Sequence, residues 1–269
     1  MAARLPDVSP LLDAAGLPLH GFCRFDDLGG HQLPCRAAAR LPEEASVVIV
    51  ALFPYRFPDD GLPRNLSRYA CVPDYHRTAG EVLHSAAERL ARRYPAFRFE
   101  PFIDNSPIPE VRAASLAGLG RIGDHGLLIH PQFGSYVFIG TIVCDAPWPV
   151  PRGELAFCPH CGACTKACPG NCLTAGRPDR SRCLSALTQK KGALTAEEEG
   201  LIRQNGLLWG CDTCQDVCPE NAGVLCDPHP CFEEYRPMAG PADFDDLAGK
   251  AYGWRGKAVL LRNWNLRPR

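Results

Sequence analysis

The 269-residue sequence lacks any apolar run long enough to cross a bilayer. Its longest is Ala45-Ser-Val-Val-Ile-Val-Ala-Leu-Phe53, far short of a membrane span. The first residues, Met1 to Val8, contain no apolar core of signal-peptide length. Both absences lead us to expect a cytoplasmic protein with no membrane partner. The chain also lacks an excess of either charge: 29 basic and 30 acidic residues leave a net charge of −1. No global basic field attracts nucleic acid, so any such contact must come from a local patch. There is no internal repeat apart from two cysteine runs.

What the chain has in abundance is cysteine, fifteen residues in all. A disulfide scaffold of that density is normally a much shorter, secreted chain. The first run is Cys158-x2-Cys161-x2-Cys164-x3-Cys168-Pro169, and the second is Cys211-x2-Cys214-x3-Cys218-Pro219. The first has the spacing of bacterial two-cluster ferredoxins, in which three thiolates cap one cube and the fourth, before Pro, reaches the other. Two cubes need eight thiolates and the runs supply seven. Cys183 is the best eighth, with Cys172 its rival. The expected sets are Cys158, Cys161, Cys164 and Cys218 on one [4Fe–4S] cluster, and Cys168, Cys183, Cys211 and Cys214 on the other. Zinc needs four ligands, usually as two separated pairs, and this spacing suits it poorly. Cys23, Cys35, Cys71 and Cys144 read as small buried hydrophobes; Cys226 and Cys231 have no assigned role.

Around these runs the pattern is that of an α+β protein. Val47 to Leu52 reads as a buried strand, ended by Pro54 and by Pro58-Asp-Asp-Gly61. Residues 67–94 are mainly helical, with Val82, Leu83, Ala86, Ala87 and Leu90 on one face and Pro95 as the stop. Phe97 to Ile103 alternates as a strand, and Ser106-Pro107 reads as a helix start. Leu116 to Gly123 is a glycine-rich turn region, and Tyr136 to Val143 a second apolar strand. Asp145 to Gly153, with three prolines, reads as a stiff linker. The expected division is 1–146, 147–225 for the clusters, and a short tail over 226–269.

Several separate segments resemble the epoxyqueuosine reductases, cobalamin-dependent enzymes of tRNA modification. Arg68-Tyr-Ala-Cys-Val-Pro-Asp-Tyr-His76 is similar to the family's Arg-Tyr-Ala-x-Gly-x-Asp-Tyr-His. Asp104-Asn-Ser-Pro107, Gly118-Leu-Gly-Arg-Ile-Gly123 and Phe133-Gly-Ser-Tyr-Val-Phe-Ile-Gly140 resemble its Asp-Thr-Ala-Pro segment, glycine turn and Gly-Ser-Trp-Phe-x-x-Gly strand. Arg182-Cys-Leu-Ser185 with Leu187-Thr188, and Gly210-Cys-Asp-Thr-Cys-Gln-Asp-Val-Cys-Pro219, resemble segments of its cluster region. The likeness covers nearly the whole chain. It implies a mixed-sheet, nitroreductase-like corrinoid-binding domain followed by a ferredoxin-like two-cluster domain, with 226–269 the remnant of a helical extension.

The resemblance also implies the chemistry. Electrons from an external ferredoxin- or flavodoxin-type donor pass through the clusters to cobalamin, an epoxide carbon is attacked, a carboxylic acid protonates the oxygen, and loss of water leaves the alkene of queuosine. The acid maps onto Asp104, beside Phe102 and Ile103, an apolar setting expected to raise its pKa. Cobalamin contacts map onto Ser67, Tyr69, His76, Asp104, Leu128, Ile139, Ser185, Cys211 and Asp212, with Arg36 also near the pocket. Read alone, Asp104 is a loop carboxylate, Leu128 and Ile139 are core, and His76 is a helix histidine. There is no Asp-x-His-x-x-Gly cobalamin motif, as suits a family that holds the cofactor without that histidine. Lys190, Lys191 and the basic C-terminus, including Arg262, Arg267 and Arg269, would meet tRNA phosphates or remain solvated surface.

Four departures stand out: Glu110 is followed by Val111 rather than Arg, the family's Gly-Lys-Asn is Gly123-Asp124-His125, the motif glycine is Val72, and the chain ends soon after Leu261-Arg-Asn-Trp264. These are expected to bear on substrate recognition. The expected substrate is epoxyqueuosine in tRNA or a related nucleoside, acted on by a monomer. The competing functions are a dicluster electron-transfer protein and a corrinoid reductase of another small electrophile, like the reductive dehalogenases.

Overall fold

The computed structural model describes residues 6–58, 63–174 and 177–267. Part of the turn expected at Pro58 to Gly61, and Arg269, lie outside the described residues. In chain order the elements are α1 (Ser9–Ala14), β1 (His20–Arg24), β2 (Val47–Pro54), α2 (Tyr75–Arg93), β3 (Phe99–Ile103), α3 (Glu110–Leu116), β4 (Arg121–Ile122), β5 (Leu128–Ile129) and β6 (Val137–Cys144). Then come α4 (Ala163–Ala167), β7 (Leu173–Thr174), β8 (Arg177–Pro178), α5 (Leu184–Thr188), α6 (Ala196–Asn205), α7 (Thr213–Asp216) and α8 (Lys257–Leu266).

The main sheet has the order β1-β2-β6-β3. Its central strand β2 is apolar and buried at every position, which requires cover on both faces. Val47, Ile49, Ala51 and Phe53 meet α2 through Leu83, Ala86 and Leu90. Val48, Val50 and Leu52 point the other way, to Ile108, Ala113 and Ala114 at α3. The period-2 alternation of the strand thus divides one apolar run between two cores. Each fully buried Val, Leu or Ile contributes roughly 1.5–3 kcal/mol of transfer free energy.

The α+β class agrees with the sequence, but the sheet is refined: all three pairings are antiparallel. β2–α2–β3 is a crossover that would make β2 and β3 parallel neighbours, and β6 inserts between them, opposed to both. The insertion demands close approach of α2. A Cβ on Gly140 of β6 would lie 2.4 Å from Leu83 Cδ1.

Two local expectations also shift. The 67–94 region is a short 3-10 turn at Arg68–Ala70 and then α2, capped by Asp74, whose side chain accepts the His76 N–H at 3.1 Å. The helix expected at Ser106 begins at Glu110, and Ser106 Oγ instead accepts the Ile108 N–H at 3.1 Å. Pro107 and Pro109 break the segment into a turn before α3 forms.

The proline-rich stretch after β6 lies along the sheet domain. Trp148 sits 5.3 Å from Tyr94 and 5.8 Å from Phe99, centroid to centroid. The cluster segment is then stitched on through backbone bonds from Ile122 N to Ala156 O and from Cys158 N to Ile122 O, 2.8 and 3.0 Å. Residues 226–267 pack back on the body: Phe244, Tyr252, Val259 and Leu260 form a core with Leu66, Ala70, Leu208 and Trp209. No helix among the described residues is long and apolar enough to cross a membrane.

Candidate functional site

The cysteine runs fold into two groups of thiols. Cys158, Cys161, Cys164 and Cys218 line one small cavity of about 70 Å³, with Asp124, His125 and Glu220 on its wall. The loop reaches this shape through left-handed backbone at His160 (φ 55°) and Gly162 (φ 72°), just before α4. The second group holds five thiols rather than four. Cys168 and Cys172 lie 3.4 Å apart, sulfur to sulfur. Cys183 borders Cys172, Cys211 and Cys214. Burial pushes the Cys172 thiol up to about 12 and raises those of Cys211 and Cys214. Four or more thiols gathered at one place supply the thiolates that a cube requires, and metal deprotonates each thiol on binding it. The donor set in each group therefore fits an iron–sulfur cube.

The remaining cysteines are dispersed. Cys23 and Cys144 are buried in the sheet domain and Cys71 in the C-terminal core; burial pushes each to about 12. Cys35, Cys226 and Cys231 are half-buried free thiols.

Asp104 follows β3 in a left-handed conformation (φ 55°) that non-glycine residues seldom adopt. Its Oδ2 accepts a hydrogen bond from His76 Nε2 at 3.0 Å, and His76 Nδ1 meets Asp74 Oδ1 at 2.6 Å. The ring is further fixed by stacking on Tyr75 (4.1 Å), which stacks in turn on Phe138 (4.0 Å, 9°). Held between two carboxylates, His76 is pushed up to about 9, chiefly by its bond to Asp104 and then by Asp74.

The expected raised pKa of Asp104 is therefore corrected. Its hydrogen bond to His76 holds it below the usual range, and Arg180 of the cluster segment adds to this. Phe102 turns into the core, away from the carboxylate it precedes. At neutral pH the pair is a carboxylate and an imidazolium, and its proton is on His76 Nε2. Glu110, which the sequence marked only as a departure from the family pattern, has its Oε1 buried without a partner, and burial, then the Asp104 charge, push it well above the usual range. The signal available was an acid at the first turn of a helix six residues after Asp104.

The other carried-over residues sort by place. Tyr69 is half-buried, with Ser67, Ser185 and Trp209 around its hydroxyl, and Gln189 Nε2 donates to it at 3.1 Å. Leu128 and Ile139 are buried in the core under α3. Asp212 is buried and takes a charge-assisted hydrogen bond from Arg64, and another from the Arg68 N–H at 3.0 Å, so it ties the second cysteine run to the sheet domain. Arg36 is exposed at the start of the 3-10 turn Arg36–Arg40. Lys190 is bound to Glu198 at 2.7 Å, and Arg262 caps the carbonyls of Lys190 and Gly192.

Two departures from the family pattern fall elsewhere than expected. Asp124 and His125 line the first thiol cavity, where Asp124 Oδ1 meets His160 Nδ1 at 2.7 Å. Burial holds His125 down at about 4. Val72 is buried in the main core.

Comparison with known proteins agrees with these features. The family profile "Epoxyqueuosine reductase QueG, DUF1730" matches residues 35–105, and "4Fe-4S double cluster binding domain" matches 157–221. The epoxyqueuosine reductase of Leadbetterella byssophila is 32% identical over 210 residues, covering 77% of this chain and 68% of that protein. That of Listeria monocytogenes is 34% identical over 205 residues, 71% of this chain and 53% of that protein. The chain thus spans little more than half the length of some curated relatives. An epoxyqueuosine reductase solved with an epoxyqueuosine-modified tRNA-Tyr stem loop superposes with TM-score 0.79 at 25% identity, over 96% of this chain and 78% of the other. A reductive dehalogenase shares the fold at TM-score 0.51 and 15% identity, over 95% of this chain and 35% of the other. With both halves matched in order, and a relative aligned over two thirds of its length, the chain belongs to the epoxyqueuosine reductase family.

Proposed function

We propose that this chain is a cobalamin-dependent iron–sulfur reductase that converts the epoxide of epoxyqueuosine, in tRNA or a related nucleoside, to the alkene of queuosine. The observation that carries the reading is the Asp104–His76 pair, facing Arg180 of the segment that holds the second thiol group. A Bacillus subtilis relative, 25% identical with TM-score 0.78 over 96% of this chain and 79% of its own, has a catalytic Asp loop swung out of its active site. Asp104 also sits on a loop, here following β3 in strained left-handed backbone.

The first cluster takes Cys158, Cys161, Cys164 and Cys218. The second takes Cys168, Cys183, Cys211 and Cys214, leaving Cys172 as an additional thiol. The division is 1–146 for cofactor and substrate, 147–225 for the clusters, and 226–269 for a short tail, the remnant of a helical extension. A ferredoxin- or flavodoxin-class donor supplies single electrons.

Cobalamin fits the face between the domains by its donor chemistry. Asp212 Oδ1 is buried there without a partner, and the Ser67, Tyr69 and Ser185 hydroxyls lie close by. Those groups would hold it, with Cys211 beside them. When bound, it supplies one-electron chemistry at an epoxide carbon. Asp104 binds the epoxide oxygen and passes to it the proton stored on His76 Nε2. Asp74 holds the imidazole in register, and the Tyr75–Phe138 stack keeps the ring from turning.

Anaerobic purification, with visible spectra before and after cobalamin addition, tests the cofactor. Asp104→Asn tests the acid: we expect full iron content, an unchanged corrinoid spectrum, and turnover of epoxyqueuosine tRNA reduced by roughly 10²–10⁴-fold. Normal turnover by this variant would remove Asp104 from the mechanism.

A further inference from the structure

Glu110 is a half-buried acid, with one carboxyl oxygen fully buried, that the reaction as described leaves unused. It opens α3, directly after Pro109. Its carboxyl lies beside the Asp104 N–H; the charged groups that act on it are the Asp104 carboxylate and the His76 ring of α2. The Tyr75 hydroxyl feels its charge from the same helix. Arg180 acts on Asp104 from the cluster segment. The cation that acts on Glu110, His76, is bonded to Asp104 rather than to it, and Glu110 Oε1 has no hydrogen-bond partner among the described residues. An unpaired anion in that position would be desolvated and would face a second anion, so the neutral acid is favoured. Two carboxyl groups held in such different settings take different proton roles.

The proposed reaction needs such a group. Converting an epoxide to an alkene breaks both carbon–oxygen bonds and forms one carbon–carbon π bond. Two electrons enter, one at a time, from the ferredoxin- or flavodoxin-class donor, and the oxygen leaves as water with two protons. The Asp104–His76 pair stores one proton, on His76 Nε2. We propose that Glu110 is the store of the second proton, which it delivers through Asp104 so that the ring-opened oxygen leaves as water. This rests on the epoxide-reductase reading. Glu110 is a positioning residue in this scheme, since it acts through Asp104 and not on the substrate.

The test is Glu110→Gln in the full chain carrying clusters and cobalamin. Glutamine keeps the size and neutrality of the acid but has no proton to give. Infrared difference spectra at neutral pH should show a protonated carboxyl band in the wild-type chain that is absent from E110Q and retained in Asp104→Asn. Iron content, corrinoid spectrum and KM should be unchanged, while kcat for epoxyqueuosine tRNA falls by roughly 10²-fold. Glu110→Asp should recover part of that loss with a displaced pH profile. If E110Q loses its clusters, the same band and pH profile are read in E110D. Absence of the band, or wild-type kcat in E110Q, overturns the proposal. A wild-type chain with the band but without epoxide reduction overturns the substrate reading and leaves the proton store standing.

Discussion

At the scale of single residues, the site is defined by where protons and thiols are held. The Asp104–His76 bond raises one group and lowers the other, so both are charged across the neutral range. The proton on His76 is available below about 9 and is lost as pH rises through that value. The bond's contribution to stability has the same upper limit for His76, whose folded pKa is raised. For Asp104, whose folded pKa is lowered, the contribution disappears as acid protonates the carboxylate. We therefore expect turnover to fall above about pH 9, and His76→Gln to abolish that alkaline limb, as measured by kcat against pH.

A second residue-scale outcome concerns the five-thiol group. Cys172→Ala should retain both clusters, whereas Cys183→Ser should lose about half the iron. Iron analysis and low-temperature EPR distinguish them; the reverse result would assign the eighth ligand to Cys172, whose sulfur is 3.4 Å from Cys168.

At the scale of elements, the cluster loops depend on backbone approaches that leave no room for a side chain. A Cβ on Gly170 would lie 1.9 Å from the Arg182 carbonyl, and it is backbone, not a mobile side-chain end, that would have to move. Cys183 follows that carbonyl directly. Gly170→Ala should thus displace Cys183 and impair assembly of the second cluster while the first, proposed to be held by Cys158, Cys161, Cys164 and Cys218, still forms. The EPR signal of one cluster should survive. Gly140 makes the comparable approach in the sheet, but there Leu83 is a side chain with freedom to yield.

At the scale of the whole molecule, the C-terminal segment is a structural part of the protein. Buried Asn263 of α8 donates to the carbonyls of Thr188 and Leu208 at 2.7 and 2.9 Å, joining the last helix to the cluster segment on both sides of α6. Asn263→Leu leaves two buried carbonyls without those donors. It should cost about 1–3 kcal/mol, read as a lower midpoint in denaturant with an unchanged slope.

The sequence by itself determined the elements whose signal is local. The apolar run at 47–52 could only be a buried strand, the periodic face of α2 had to pack on it, and the cysteine spacing already specified two metal sites. Those features follow from chain periodicity and ligand spacing, which are properties of neighbours along the chain. The tertiary structure decided what depends on neighbours in space. It inserted β6 between β2 and β3 to make the sheet antiparallel, put Asp124 at the first thiol cavity, and packed residues 226–267 on the body. It set the Asp104 pKa against the expectation drawn from Phe102 and Ile103, because His76, twenty-eight residues earlier, supplies the nearest charge. Electrostatic energy depends on distance through the fold, and adjacency in sequence does not measure that distance.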